Sequence, residues 1–367
     1  MRNLTKEDVD NLLYGATFLG TGGGGSMEMG LELLNKDLND GLAFQIADLD
    51  ELDDHATIAS PYYVGAVGNK IKINHSKDPA LLATNVLENY VNKKVDGIIA
   101  AELGGYATAG ALHVAASKNI PLLDADAAGR AAPDLQCSLF YIADIPITPF
   151  SVYTLMDDEI VVKSISSNEQ AELIVRKIST LSSSSVGLCD HLTTASTLKN
   201  SCAKNTISKA IEIGKNLRKR SLESLLKINE IYELFKGKLS DSKWEIRNGF
   251  TYGYYTLDGI GEYSGSKLKI WFKNENLISW LNDSPYITSP DLIILTTVDL
   301  NPVTNPINKT GQEYFVFGMR SDKKWRTVAG LNVMAPKFFG FEIEYKPIEN
   351  ILEPIGTIVD HKSRIFL

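Results

Sequence analysis

The stretch Gly97-Ile98-Ile99-Ala100-Ala101 is apolar at every position. A strand with one wet face alternates polar and apolar residues, so an unbroken run fits a strand covered on both faces. Helices packed on either side of a mostly parallel sheet supply that environment. The flanking sequence agrees. Pro79 to Val91 reads as an amphipathic helix with Leu81, Leu82, Val86, Leu87 and Tyr90 inward. Ala107 to Ser117 is a helix of small residues, able to lie close on such a sheet, and Ile120-Pro121-Leu122-Leu123 enters the next strand. Phe44-Gln45-Ile46-Ala47 and Ala56-Thr57-Ile58-Ala59 read as short strands. The expectation is an α/β fold with a mixed or mostly parallel sheet.

Upstream, Thr5-Lys6-Glu7-Asp8 has the form of a capping box, and Val9, Leu12, Leu13 and Ala16 follow at helical spacing, predicting a helix from Thr5 to Thr17. A second helix is expected over Met27 to Leu34. Between them lies Gly20-Thr21-Gly22-Gly23-Gly24-Gly25-Ser26, five glycines in six positions before the serine. Each glycine raises the entropy lost on folding, so a plain connector has no need of four in succession. Such a run lets backbone N–H groups converge on an anion or carbonyl oxygen, helped by the next helix N-terminus. Gly22, Gly23, Gly24 and Gly25 are therefore candidate ligand contacts, with a tight packing turn as the alternative. No Gly-Lys-Ser/Thr follows, and a helix rather than a strand precedes, so neither a phosphate loop nor a dinucleotide or flavin motif is present.

At 367 residues the chain is long enough for two domains. After Trp244 the composition shifts to Phe250-Thr251-Tyr252-Gly253-Tyr254-Tyr255-Thr256, Leu268-Lys269-Ile270-Trp271-Phe272 and Leu292-Ile293-Ile294-Leu295-Thr296-Thr297, all strand-like. The expected division is an α/β domain over 1–164 and a β-rich second domain over 165–367, with a helical segment near 205–235. Ser182-Ser183-Ser184-Ser185 reads as a surface turn, and Lys215-Asn216-Leu217-Arg218-Lys219-Arg220 as a solvated helix face. The net charge of -8 argues against nucleic acid or an anionic membrane as partner, leaving a small molecule and a possible homo-oligomer. Three cysteines without a CxxC argue against a disulfide scaffold. The opening Met1-Arg2-Asn3-Leu4-Thr5-Lys6-Glu7-Asp8 does not read as a signal peptide, and no apolar stretch reaches membrane-spanning length, so a cytoplasmic location is expected.

The densest chemistry is Glu102-Leu103-Gly104-Gly105 followed by Asp124-Ala125-Asp126-Ala127-Ala128-Gly129-Arg130. Glu102 closes one apolar strand, and Asp124 and Asp126 close the next, at the strand ends where α/β sheets place ligands. Neighbouring strands lie about 5 Å apart, so the three acids are expected to share one cleft. Crowded carboxylates raise one another's pKa or bind a divalent cation, which suits general acid–base work. Arg130 is expected either to clamp a substrate carboxylate or to neutralise the acids, and helix capping by Asp124 or Asp126 is the structural alternative. Asn274 and Glu275, in Lys273-Asn274-Glu275-Asn276, offer donors and acceptors suited to an amide ring edge, or make a polar turn. The histidines are His55, His75, His113, His191 and His361, with no HxH or HExxH spacing. His113 reads as a core residue. Cys189-Asp190-His191 is a weak candidate cluster, because adjacency rarely places side chains on one point.

Leu19-Gly20-Thr21-Gly22-Gly23-Gly24-Gly25, Glu102-Leu103-Gly104-Gly105, Pro121-Leu122-Leu123-Asp124-Ala125-Asp126, Gly129-Arg130-Ala131 and Pro133 together resemble the DUF917 family, also called S-methyl-thiohydantoin desulfurase-like and linked with hydantoin utilisation. Trp271-Phe272-Lys273-Asn274-Glu275-Asn276, Ser289-Pro290-Asp291-Leu292-Ile293 and Ala335-Pro336-Lys337-Phe338-Phe339-Gly340 resemble its second domain in order. Ala128 and Ala132 depart from the larger residues of the family pattern, and Cys189-Asp190-His191-Leu192 from its Gly-Pro-like stretch. The resemblance implies a three-layer α/β N-terminal domain and a β-rich C-terminal domain. It also implies a hydrolase-like enzyme acting on a cyclic ureide or thiohydantoin, with water attack releasing sulfide or a thiol or opening the ring. In that scheme Glu102, Asp124 and Asp126 are catalytic, while the glycines, Arg130, Asn274 and Glu275 bind substrate. A non-catalytic partner subunit or small-ligand sensor of a hydantoin-utilisation system is the alternative.

Overall fold

The computed structural model describes residues 1–65, 77–182, 185–228, 230–306 and 309–352. The first sheet contains β1 (Arg2–Asn3), β2 (Gln45–Ala47), β3 (Thr57–Gly65), β4 (Gly97–Ala100), β5 (Leu122–Asp126), β6 (Phe150–Thr154), β7 (Glu159–Val162), β8 (Ser185–Thr194) and β9 (Ala203–Lys204). Its order is β1-β2-β5-β4-β3-β8-β6-β7, with β9 on β5. The central pairs β2–β5, β5–β4 and β4–β3 are parallel, whereas β3–β8, β8–β6 and β6–β7 are antiparallel. The sheet is mixed.

The central apolar strand behaves as its sequence demands. Ile98 packs with residues of α1 (Lys6–Leu19), α2 (Met27–Asn39), α3 (Pro79–Val91) and α4 (Gly105–Ser117), while Ile99 packs on the opposite face with Phe140, Ala195 and Leu198. Both isoleucines are fully buried, each worth about 1.5–3 kcal/mol against exposure. Helix–sheet–helix layering follows directly.

The caps set the helix starts. Thr5 and Asp8 make a reciprocal capping box at α1, which then runs two residues beyond the expected Thr17. Asp78 caps α3 and Pro79 occupies its first turn. Helix α2 continues to Asn39, past the expected Leu34, because Leu33, Leu34 and Asp37 remain on its buried face.

The second sheet is antiparallel throughout: β10 (Ile231–Arg247), β11 (Phe250–Gly259), β12 (Lys267–Lys273), β13 (Glu275–Leu281), β14 (Ser284–Thr288), β15 (Leu292–Thr297) and β16 (Glu313–Met319), in the order β14-β13-β12-β11-β10-β16-β15. All three strands expected after Trp244 are present. Residues 165–228 side with the first sheet. Strand β8 sits inside it, and the helix Thr206–Arg218 buries Ile207, Ala210 and Ile213 in the same core as α1. The basic run at its end exposes Lys219 and Arg220, as a solvated face should. Ser182 and Ser185 are buried rather than on a surface turn, and Ser183 and Ser184 lie outside the described residues.

Candidate functional site

The glycine loop is wedged between the strand ends of the first sheet and the edge of the second. Gly22, Gly24 and Gly25 adopt positive φ of 94°, 67° and 77°, a region in which L side chains are strained. A Cβ on Gly24 would lie 2.5 Å from Gly104 Cα, so the two glycines admit one another only without side chains. The Gly24 carbonyl accepts the N–H groups of Tyr106 and Ala107, which open α4. That helix N-terminus is therefore satisfied by the loop itself rather than held open for an anion. Thr21 and Gly22 carbonyls accept from the N–H groups of Asn276 and Asn305 in the second sheet's half of the chain. Gly23 faces the Glu275 carboxyl so closely that a methyl group there would overlap it. Packing thus accounts for Gly22 and Gly23. Gly24 and Gly25 also line a cavity, and their N–H groups have no acceptor among the described residues.

The acids expected to share a cleft do not all face it. Asp124 accepts from the Ser208 N–H and hydroxyl, at 2.9 and 2.5 Å, in the first turn of the helix Thr206–Arg218. Asp126 accepts from the N–H groups of Ala128 and Gly129 and is fully buried. Burial raises its pKa to about 7, against the pull of those two N–H groups. Neither aspartate lines the cavity; only Glu102 of the three does.

Arg130 is fully buried and its guanidinium is fully engaged. Nε donates to Ala131 O, Nη1 to Pro290 O and Asp291 O, and Nη2 to Thr21 Oγ1 and Asn276 O. Arginine has five N–H donors, and these five acceptors use them all. Burial lowers its pKa to about 10, opposed first by the charge of Glu275, so the group stays charged at neutral pH. Arg130 clamps the glycine loop to the second sheet and has no donor left for a substrate.

The cavity itself has a volume of about 140 Å³. A cavity of about 150 Å³ accommodates benzene, so the space is that of one small ring. Its polar lining comes from both sheets. Glu102 accepts the Ala132 N–H at 2.9 Å, and desolvation drives its pKa up to about 7 despite that bond and the positive charges of Arg176 and Arg130. Glu275 is buried, its Oε2 has no hydrogen-bond partner, and desolvation together with the charge of Glu102 holds its pKa well above the usual carboxyl range. Asn274 takes a left-handed φ of 57° and exchanges hydrogen bonds with the Thr251 backbone, which turns β12 into β13 and presents Glu275. Arg176 donates to Glu172, Gly65 O, Gly249 O and Pro133 O, and its guanidinium lies 4.0 Å from the Phe250 ring centre.

The side chain that sequence reasoning undervalued is His191. Strands β3 and β8 pair Ser60 with Asp190 and Ile58 with Thr193, so three steps on β8 oppose two on β3. His191 sits in this bulge at a φ of 44°. A bulge re-aims side chains that strict alternation would separate. Asp190 and His191 consequently both line the cavity, with His191 Nδ1 2.8 Å from Asp190 Oδ1 and the Tyr62 hydroxyl donating to Asp190 Oδ2 at 2.6 Å. The Nε2 atom of His191 is buried without a partner. The third member of the run, Cys189, packs instead into the core beneath α3, and burial pushes its thiol up to about 12. His113 pairs with Asp37 in the core, while His75 and His361 lie outside the described residues. Among the described residues no three His, Cys, Asp or Glu side chains converge as a metal site. No described helix is long and apolar enough to cross a membrane.

Comparison with known proteins agrees with this architecture. The description "S-Me-THD-like, N-terminal domain" matches residues 7–164, and "S-Me-THD-like, C-terminal domain" matches residues 166–348. An X-ray crystal structure of a protein from Chromobacterium violaceum superposes with a TM-score of 0.77 at 20% identity, covering 95% of this chain and 100% of that one. At that identity the likeness speaks for the fold alone. No curated protein matches the chain. With both halves matched in order and a two-sheet architecture built around one shared cavity, the chain belongs to the S-Me-THD-like family.

Proposed function

We propose that the chain is a hydrolase of S-methyl-thiohydantoin or related cyclic (thio)ureide rings, with the reaction in the cavity between Glu102 and His191. The observation that carries this reading is His191, held by the Tyr62–Asp190 pair with its Nε2 unpartnered, in the same cavity as a carboxyl that titrates near neutrality. A base oriented by a carboxylate and a carboxyl still protonated near pH 7 form the pair that general acid–base hydrolysis needs.

In this scheme His191 Nε2 takes a proton from water as its oxygen adds to the ring carbon bearing sulfur. Glu102 gives its proton to the adjacent ring nitrogen. The free N–H groups of Gly24 and Gly25 stabilise charge developing on the ring. The C–S bond then breaks, His191 returns its proton to the departing sulfur, and the new hydroxyl gives its proton to Glu102 as the carbonyl forms. One water is consumed, one thiol leaves, and both residues are restored. Asn274 and Glu275 supply an amide and a carboxyl group to the ring edge. Asp124, Asp126 and Arg130 support the site from outside it.

The test is incubation of purified protein with S-methyl-thiohydantoins and hydantoins, following ring absorbance in the ultraviolet and free thiol by a colorimetric reagent. Stoichiometric thiol release, lost in His191→Gln and Glu102→Gln, is the expected result. Saturable binding without turnover would favour a ligand sensor, and neither binding nor turnover across both compound series would end the reading.

A further inference from the structure

The charges around the cavity do not balance. Among the described residues its walls carry the carboxyl groups of Glu102, Asp134, Asp190 and Glu275, and one arginine, Arg176. Asp134 is paired with Lys273 Nζ at 2.7 and 2.5 Å, and Arg176 Nε with Glu172 at 2.7 Å. Asp190 is held between the Tyr62 hydroxyl and His191. Glu102 and Glu275 are left over. Among the described residues neither forms an ion pair: Glu102 accepts the Ala132 N–H, and Glu275 Oε2 has no partner. The positive charge of Arg130 acts on both, yet its five donors all go to neutral oxygens. One cation thus stands against two carboxyls. Burial first, and then the charge of Glu102, pushes the Glu275 carboxyl well above its usual range, and a second cation between the two acids would relieve that.

Ser60 is the second, independent observation. It pairs with Asp190 across β3 and β8, and Tyr62, two residues along the same strand and so on the same face, reaches Asp190 with its hydroxyl. Ser60 therefore points to the cavity face. It lines the cavity, is 1% exposed, and its Oγ has no hydrogen-bond partner. The Tyr62 and Tyr63 hydroxyls, by contrast, are spent on Asp190 and Asp78. The side-chain atoms left open in the cavity, Glu275 Oε2, His191 Nε2 and Ser60 Oγ, all have acceptor capacity. A ligand that satisfies them is rich in N–H groups. A flat N–C–N edge offers such donors in a fixed geometry that suits carboxyl oxygens, and its positive charge supplies the missing counter-charge.

We infer that the cavity holds its ring as a cation, with an amidinium-type N–C–N edge paired to Glu102 and Glu275. The assignment rests on the ring-hydrolysis reading above and narrows its substrates. Rings with a basic nitrogen, such as cyclic isothioureas, are favoured over plain ureides, which have none. On entry the ring nitrogen takes the Glu102 proton: one O–H bond breaks, one N–H bond forms, and a ring cation is left beside a carboxylate. Ser60 Oγ takes a further hydrogen bond from the ring.

The experiment uses two rings of nearly the same shape and different charge, 2-amino-2-imidazoline, a cyclic guanidinium, and 2-imidazolidinone, its neutral urea counterpart. Calorimetry at pH 7 on the parent protein should show the cation binding more than about tenfold tighter, the worth of one charged hydrogen bond. Repeated in buffers of different ionisation enthalpy, it should also show protons released as a buried carboxyl ionises. Glu275→Gln and Glu102→Gln should each weaken the cation and leave the urea ring nearly unchanged, whereas a merely structural role would weaken both rings together. The comparison of the two rings on the parent decides the matter even where a variant does not fold. Equal binding, tighter binding of the urea ring, or no binding of either would overturn the inference. A cation preference without turnover of any S-methyl-thiohydantoin would sink the hydrolase reading and keep the cation site. Thiol release from S-methyl-thiohydantoins by a protein that shows no cation preference would do the reverse.

Discussion

Replacing Glu102 with glutamine should stabilise the protein at alkaline pH while abolishing its activity. The carboxyl is enclosed in the cavity wall and its pKa is raised from 4.5 to about 7. One pKa unit corresponds to about 1.4 kcal/mol, so full ionisation costs the folded state about 3.4 kcal/mol relative to the unfolded chain. The sign follows from proton counting. Between about pH 4.5 and 7 the folded chain holds a proton that the unfolded chain has released, so stability falls as pH rises through that window and levels off above it. The side chain borders a space wide enough for water, which screens part of this cost and leaves about 1–3 kcal/mol. Glutamine has the same shape, never ionises, and can still accept the Ala132 N–H through its amide oxygen. In urea titrations the advantage of Glu102→Gln over the parent should therefore widen by about 1–3 kcal/mol between pH 5 and pH 8, with the m-value unchanged. A gap that is the same at both pH values, or that favours the parent at pH 8, would refute the claim that burial holds this carboxyl neutral.

Other consequences can be measured on the same preparation. Under the proposed mechanism kcat/KM should decline above pH 7 as Glu102 loses the proton it donates, and a profile flat to pH 9 would remove it as the acid. Tyr62→Phe deletes the 2.6 Å bond to Asp190 and should lower kcat by about tenfold with KM intact, since it loosens the group that orients His191; a pure KM effect would reassign Tyr62 to substrate contact. Arg130→Lys offers three donors to five buried acceptors and should cost about 3 kcal/mol or more in urea midpoint analysis, whereas a loss under 1 kcal/mol would show the network to be dispensable. Gly24→Ala combines a φ of 67° with backbone contact at 2.5 Å, so it should destabilise by about 2 kcal/mol or more. Gly23→Ala, which has only to displace the Glu275 side chain, should cost less, and the reverse order would contradict the loop's packing.

Local signals in the chain carried much of the fold. Thr5 with Asp8 and Asp78 with Pro79 mark helix starts that the structure keeps, and Ile98-Ile99 specifies a strand covered on both faces. Strand β8 was not legible, because Gly187, Asp190 and His191 interrupt its apolar pattern and its identity depends on pairing with β3 and β6. The same is true of the site. Glu102 stood out as an acid closing an apolar strand, and Asn274-Glu275 as a polar turn. What no local pattern could convey is saturation. Arg130 and the two aspartates have the residue types of a binding site, yet their hydrogen bonds are already filled by acceptors and donors up to 161 positions away. His191 is the converse case, a weak candidate in the sequence that a bulge turns into the cavity together with Asp190.

The Arg130 clamp bears on how the gene could be divided. Its Nη1 and Nη2 atoms reach across to Pro290, Asp291 and Asn276, while its Nε stays within its own turn at Ala131. Cutting the chain before Ile231 and producing the first piece alone would remove three of the five acceptors of the Arg130 guanidinium and open its enclosure to water. The second piece would expose the matching carbonyls and the buried Glu275. In either fragment water would have to replace partners that the intact chain supplies across the two sheets. Two open reading frames derived from such a split would have to be translated together, and each product should be insoluble without the other.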